Sequence, residues 1–180
     1  MKGFDVPDGF SIDKSLSAGD HPLLEVFPGL DNLALFKKLA KTKKQRECII
    51  GVTIKLILSK YVYMYVAPNK PLGTKYWKPI ISSEDCVVIG INHLKTSPIQ
   101  VVYLDIFHEL CHILQRKAGG ELWSLESYVD NPCEIEAYQF VINEAKKLGA
   151  ANKYLRDYLE VGWVSKKDMK RLFSRLEVDD

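Results

Sequence analysis

Between positions 97 and 120 the apolar residues recur at helical spacing. Ile99, Val102, Tyr103, Ile106, Leu110, Ile113 and Leu114 make one stripe, which predicts a helix with that face on the core. Ser97-Pro98 marks its start, with Ser97 as cap and Pro98 in the first helical position. Lys117-Ala118-Gly119-Gly120 marks its end with a glycine C-cap. A second helix is predicted from 132 to 148, with Asn131 as cap, Pro132 first and Gly149 at its end. Two shorter segments follow. Residues 152–161 are helical by Tyr154, Leu155, Tyr158 and Leu159, and Ser165 caps a last helix carrying Met169, Leu172, Phe173 and Leu176.

The first half is less regular. Asp31 is expected to cap a helix running to about Lys41, through Leu33, Leu35, Phe36 and Leu39. In 46–60, Ile50, Val52, Ile54, Leu56 and Leu58 alternate like a strand. The run is long and nearly apolar all round, however, so the expectation is a buried helix. Strands are predicted at 61–66, 73–81 and 86–91. Residues 1–30 hold Pro7, Gly9, Gly19, Pro22, Pro28 and Gly29 and read as an irregular N-terminal arm. With no repeats or linker, 31–180 reads as a single α+β domain.

Composition sharpens this only a little. At 180 residues, 47% hydrophobic and 27% charged, the chain has the make-up of a globular protein with room for a core. The net charge of +2 argues neither for nor against nucleic acid. The basic run Lys37, Lys38, Lys41, Lys43, Lys44 and Arg46 reads as a solvated helix end before an anionic-partner site. No aromatic residues interleave with it, so nucleic acid is not the expected partner. Cys48, Cys86, Cys111 and Cys133 form no CxxC pair, which suggests free thiols in a reducing compartment. The polar start of the chain is no signal peptide. The most apolar stretch, 48–67, is broken by Lys55 and Lys60, so no membrane span is expected and a cytoplasmic location is.

Chemistry enters at His108-Glu109-Leu110-Cys111-His112. Residues four apart on a helix share a face, so two imidazoles there can reach one metal ion, with Glu109 placed as a base. At about 100° per residue the histidines fall opposite the core stripe, beside Val101, Leu104 and Asp105. Two histidines one turn apart and off the core need another partner, and zinc is the expected one. A hydrolytic zinc site needs a third protein ligand. His21 and His93 both precede the motif, and Gln115 and Ala118 break the metzincin extension. Downstream carboxylates remain: Glu121, Glu126, Asp130, Glu134, Glu136 and Glu144. Glu134 shares the inward face of the 132–148 helix with Tyr138, Val141, Ala145 and Leu148, whereas Glu136 lies about 200° away with Gln139, Asn143 and Lys147. Glu134 is therefore the preferred ligand. Glu136 stays open as an alternative, as does a capping box between Glu134 and Asn131.

With His108, Glu109 and His112 followed by Glu134-Ile135-Glu136-Ala137, the chain resembles the gluzincin metallopeptidases, which pair an HExxH helix with a downstream ExxA helix. The order of a strand at 88–92, Ser97-Pro98, HExxH and then ExEA looks most like the small ImmA/IrrE-like group, over roughly residues 60–148. Cys111 departs from the glycine common there, as does Tyr138-Gln139-Phe140-Val141 from that group's Phe-Ala-rich continuation.

The resemblance implies a small zincin-like domain. A short mixed sheet of about three strands would pack on the HExxH helix and the glutamate helix, with further helices at both ends. It implies Zn2+ on His108, His112 and Glu134, Glu109 as general base, a peptide or protein substrate, and the 86–92 strand as the edge that pairs with it. Tyr128, Tyr138 and His93 are candidate oxyanion donors, unranked, each more commonly a packing or surface residue. Cys111 and Cys133 are expected to be small buried residues. The competing expectation is an inactive zinc-stabilised binding or regulatory domain. Its partner would meet the 37–46 basic segment and Lys166, Lys167, Lys170, Arg171 and Arg175.

Overall fold

Helix and strand signals that abut in the sequence separate cleanly in space. The computed structural model describes residues 3–59, 63–68, 82, 84–122 and 127–179. Among these, the architecture is α+β, with four strands in one mixed sheet and eight α-helices. The strands are β1 (Gly19–Pro22), β2 (Thr53–Ile57), β3 (Met64–Val66) and β4 (Cys86–Gly90), in spatial order β1-β2-β4-β3. β2 runs parallel to β4, pairing Ile54 with Val87 and Leu56 with Ile89, while β1 and β3 run antiparallel to their neighbours. Every residue of β4 is buried, as expected of a strand bonded on both sides and covered on both faces.

The helices are α1 (Leu23–Val26), α2 (Ala34–Leu39), α3 (Lys43–Ile50), α4 (Ile91–Thr96), α5 (Ile99–Lys117), α6 (Pro132–Lys147), α7 (Asn152–Leu159) and α8 (Lys166–Arg175). α5 carries the HExxH motif. The face read as its core stripe is buried, and so is Leu104 beside the histidines, so the helix is enclosed on both sides. Phe107 shows how much packing this involves. It is fully buried and meets the ring of Tyr103 edge-on at 5.2 Å. Phe107→Ala is expected to destabilise the fold by about 3–5 kcal/mol in urea titration, through lost burial and the cavity left behind.

Several expectations are corrected. The 46–60 run is not one helix. α3 opens at Thr42 with a capping box, in which Thr42 Oγ1 accepts from Gln45 N at 3.1 Å and Gln45 Oε1 accepts from Thr42 N at 3.0 Å. It ends at Gly51, and the alternating Ile54 and Leu56 then form β2. A helix end and a strand start lie end to end, which made the run look apolar all round. Because β2 takes the far side of β4, the 86–92 strand is no edge. Among the described residues the edge nearest α5 is β3.

The first thirty residues are no loose arm either. They supply β1 and α1, and Phe4, Phe10, Leu23, Val26, Phe27 and Leu30 join the core one by one between turns. Asp31 lies in a single 3-10 turn (Leu30–Asn32), and Leu33 rather than Asp31 precedes α2. Pro98 takes the cap position of α5, because the Ser97 hydroxyl is hydrogen-bonded to His93 Nδ1 at 2.8 Å. The strand expected at 73–81 lies outside the described residues, and only Met64–Val66 of the 61–66 strand is formed within them. The α6, α7 and α8 expectations hold to within two residues. Among the described residues no helix is long and apolar enough to cross a membrane.

Candidate metal centre

Two helices with firm starts and stops bring the site together. α5 ends where Gly119 adopts a left-handed conformation (φ 89°) and Gly120 N–H donates to Gln115 O at 2.8 Å. α6 starts where Asn131 Oδ1 accepts from Cys133 N at 2.9 Å, with Pro132 next. The Asn131 N–H donates to Ser127 O at 3.0 Å, so it is not held by Glu134 and no capping box forms. Glu134 instead turns inward to the histidines of α5.

His108 Nε2 and His112 Nε2 face each other at 2.9 Å. A Glu134 oxygen lies 3.4 Å from His108 Nε2, and the other lies 3.6 Å from His112 Nε2. One ligand atom from each of the three residues falls within 4.8 Å of the others. Ligands at about 2.0–2.2 Å from a tetrahedral zinc stand roughly 3.3–3.6 Å apart; the two carboxylate contacts, made through different oxygens, lie in that range, and the two imidazole nitrogens stand closer. Two nitrogens and one carboxylate oxygen are also the donor set a hydrolytic zinc takes. The donor chemistry suits zinc.

Charge draws the three side chains together. Burial alone would raise the Glu134 carboxyl, but hydrogen bonds from His108 and His112 outweigh it and hold the pKa down to about 2. Burial would lower His112. The hydrogen bond to Glu134 and the charges of Glu109 and Glu134 lift it to about 9 instead. Burial, then the charge on His112, keeps His108 below its ordinary value. These shifts favour a charged His112 facing a charged Glu134, and an uncharged His108.

Glu109 lies next to His108 but points elsewhere. Its carboxylate is buried, and Oε2 accepts from the backbone N–H of Val66 in β3 at 2.8 Å. Burial raises its pKa to about 8, with the charge on His112 working the other way. β3 is in turn pinned to α5 one turn past His112. Arg116 donates to Ala67 O at 2.7 Å and to Asp85 at 2.8 Å.

The oxyanion candidates separate. The Tyr138 ring packs on His108 with centroids 4.2 Å apart, and its hydroxyl shares a 2.5 Å hydrogen bond with that of Tyr128. Both tyrosines therefore wall the centre. His93 does not join them: its ring nitrogens are taken by Asp105 at 2.8 Å and Ser97 at 2.8 Å, and Asp105 also accepts from Tyr158. Glu136, the alternative ligand, is exposed and accepts from Gln115 Nε2 at 2.7 Å. Burial raises the thiols of Cys111 and Cys133, which suits packing rather than ligation. Gln115, Arg116 and the Val66 N–H escaped the sequence reading. Only Gln115 left a trace there, as a polar residue at i+3 from His112 on the same face. No protein-family model, curated protein or solved structure matches the chain.

Proposed function

We propose that this chain is a zinc-dependent metallopeptidase of gluzincin type, built on a zincin-like domain. One observation carries the reading: His108, His112 and Glu134 converge with one ligand atom each within 4.8 Å of the others, and Glu109 lies in the same helical turn. Zinc bound there would activate water and polarise a scissile carbonyl. Glu109 takes the proton of the attacking water and passes it to the leaving amine. Its raised pKa suits a group that must both accept and return a proton near neutrality. In the Tyr128–Tyr138 hydroxyl pair one hydroxyl donates to the other, which leaves a single proton to offer to the charge that develops on the carbonyl oxygen.

The substrate is a peptide or an unfolded protein segment. Among the described residues β3 is the sheet edge beside the base. Ala67 N–H and Tyr63 O bond to β4, so the alternate residues Met64 and Val66 turn their backbone groups outward, where an extended peptide pairs. The Val66 N–H is held by Glu109 in this structure. A peptide seated on it therefore frees the base.

The test is metal content and turnover together. Protein expressed with ample metal should hold about one zinc per chain and cleave quenched fluorescent peptides. A chain that takes up no zinc ends the proposal. Zinc without any turnover would favour the inactive zinc-stabilised domain instead.

A further inference from the structure

Gln115 is half-buried between the two ligand helices, and its amide orientation is forced. On one side it meets the Cys133 backbone carbonyl at 3.0 Å and the Glu136 carboxylate at 2.7 Å. Both partners only accept hydrogen bonds, so the NH2 of Gln115 faces them. Its Oε1 must then face His112 Nδ1, 2.7 Å away. An amide oxygen only accepts, so Nδ1 carries the proton. In the neutral ring the lone pair is left on Nε2, the atom that faces His108 and Glu134. Glu136, which the helical phase puts on the outward face, thus acts on the centre at one remove.

We infer that Gln115, held by Glu136, is a positioning residue that fixes the tautomer and orientation of His112 for metal binding. The inference rests on the zinc reading of the centre and adds to it. The two histidines are held differently. His108 Nδ1 is buried with no hydrogen-bond partner among the described residues, and its ring is fixed by packing on Tyr138. His112 is fixed by its hydrogen bond to Gln115, and the two bonds from Gln115 to Cys133 and Glu136 tie α5 to α6 at the level of the ligands. Partners of this kind set ligand basicity, and their loss typically weakens metal binding about 10–100-fold.

The experiment uses the full chain, with zinc affinity read by chelator competition and site geometry by the visible spectrum of the cobalt-substituted protein. Gln115→Leu keeps the volume and removes the relay. It should weaken zinc binding about 10–100-fold and change the cobalt spectrum. Gln115→Glu still accepts from His112 but sets a second carboxylate against Glu136, so it should bind zinc weakly too. Adding Glu136→Gln restores a donor between the two positions and should return affinity to within about threefold of the parent, a coupling that independent sites would not show. Unchanged affinity in Gln115→Leu overturns the inference. So does a double variant no better than Gln115→Glu alone, which would assign the loss to packing. A parent chain that binds no zinc overturns the metallopeptidase reading separately. The relay is then read from the 15N shifts of His112 in metal-free protein at about pH 10. A proton on Nδ1 that moves in Gln115→Leu supports it, and a proton on Nε2 in the parent overturns it.

Discussion

Glu109→Gln is expected to leave zinc binding intact and to lower kcat by about 10^2–10^4-fold, the usual worth of a positioned general base. The two halves of that expectation have separate physical grounds. Glu109 is not among the three residues whose ligand atoms converge, so the donor set survives. Glutamine has the same shape, and its amide oxygen can still accept the Val66 N–H that the carboxylate accepts at 2.8 Å. The edge strand therefore keeps its place, and KM should change little. Only the capacity to carry a proton is lost. Turnover is measured per bound zinc, so that a change in metal content is not mistaken for a change in chemistry. Parent-like turnover in Glu109→Gln would move the base to another residue and remove the main chemical argument for the motif.

The site was more legible in the sequence than the sheet, and the reason is the range of the interactions involved. His108, His112 and Glu134 were placed by helical phase, which is fixed within a few residues. The ends of α5 and α6 were marked by glycine, proline and asparagine, whose conformational roles are equally local. Strands depend on partners that are distant in sequence. β1 is four mostly exposed residues, Gly-Asp-His-Pro, with no strand pattern of its own, and only its bonding to β2 makes it one. β2 did alternate, but α3 immediately before it masked the change of period. With β2 hidden in this way, the 86–92 strand reads as an edge, although β2 pairs along its far side. The same logic explains Gln115. Its partners Cys133 and Glu136 lie on another helix, so its role exists only once α5 and α6 have packed.

Removing the metal should lower stability, and the change should depend on pH. A ligand at a hundred times its Kd adds about 2.7 kcal/mol to a fold, and in a chain of this size each kcal/mol moves Tm by roughly 2–4 °C. Chelation is therefore expected to lower Tm by roughly 5–10 °C near neutrality.

Four groups set the pH course of the metal-free protein. His112 is raised from 6.5 to about 9, so its contribution is complete below 6.5 and is lost as pH rises through 9. Glu109 is raised from 4.5 to about 8, so the folded state holds the extra proton and stability falls as pH rises between those values. Glu134 is lowered from 4.5 to about 2, so its contribution is present above 4.5 and is lost as pH falls toward 2. His108, held below 6.5, works the other way up to that pH, so the metal-free protein should weaken from about pH 6.5 to about 9. Zinc binding strengthens over the same range, because its ligands must be deprotonated. The gap in Tm between zinc-loaded and chelated protein should consequently widen with pH.

Glu134→Gln provides the control. It removes the third ligand and the anion that holds the proton on His112, so both the gap and the alkaline decline should shrink. Melting curves taken at several pH values, with zinc and with chelator, read both effects. A gap that stays constant from pH 6.5 to 9, or that persists in Glu134→Gln, would show that the ion does not stabilise the fold through His112 and Glu134.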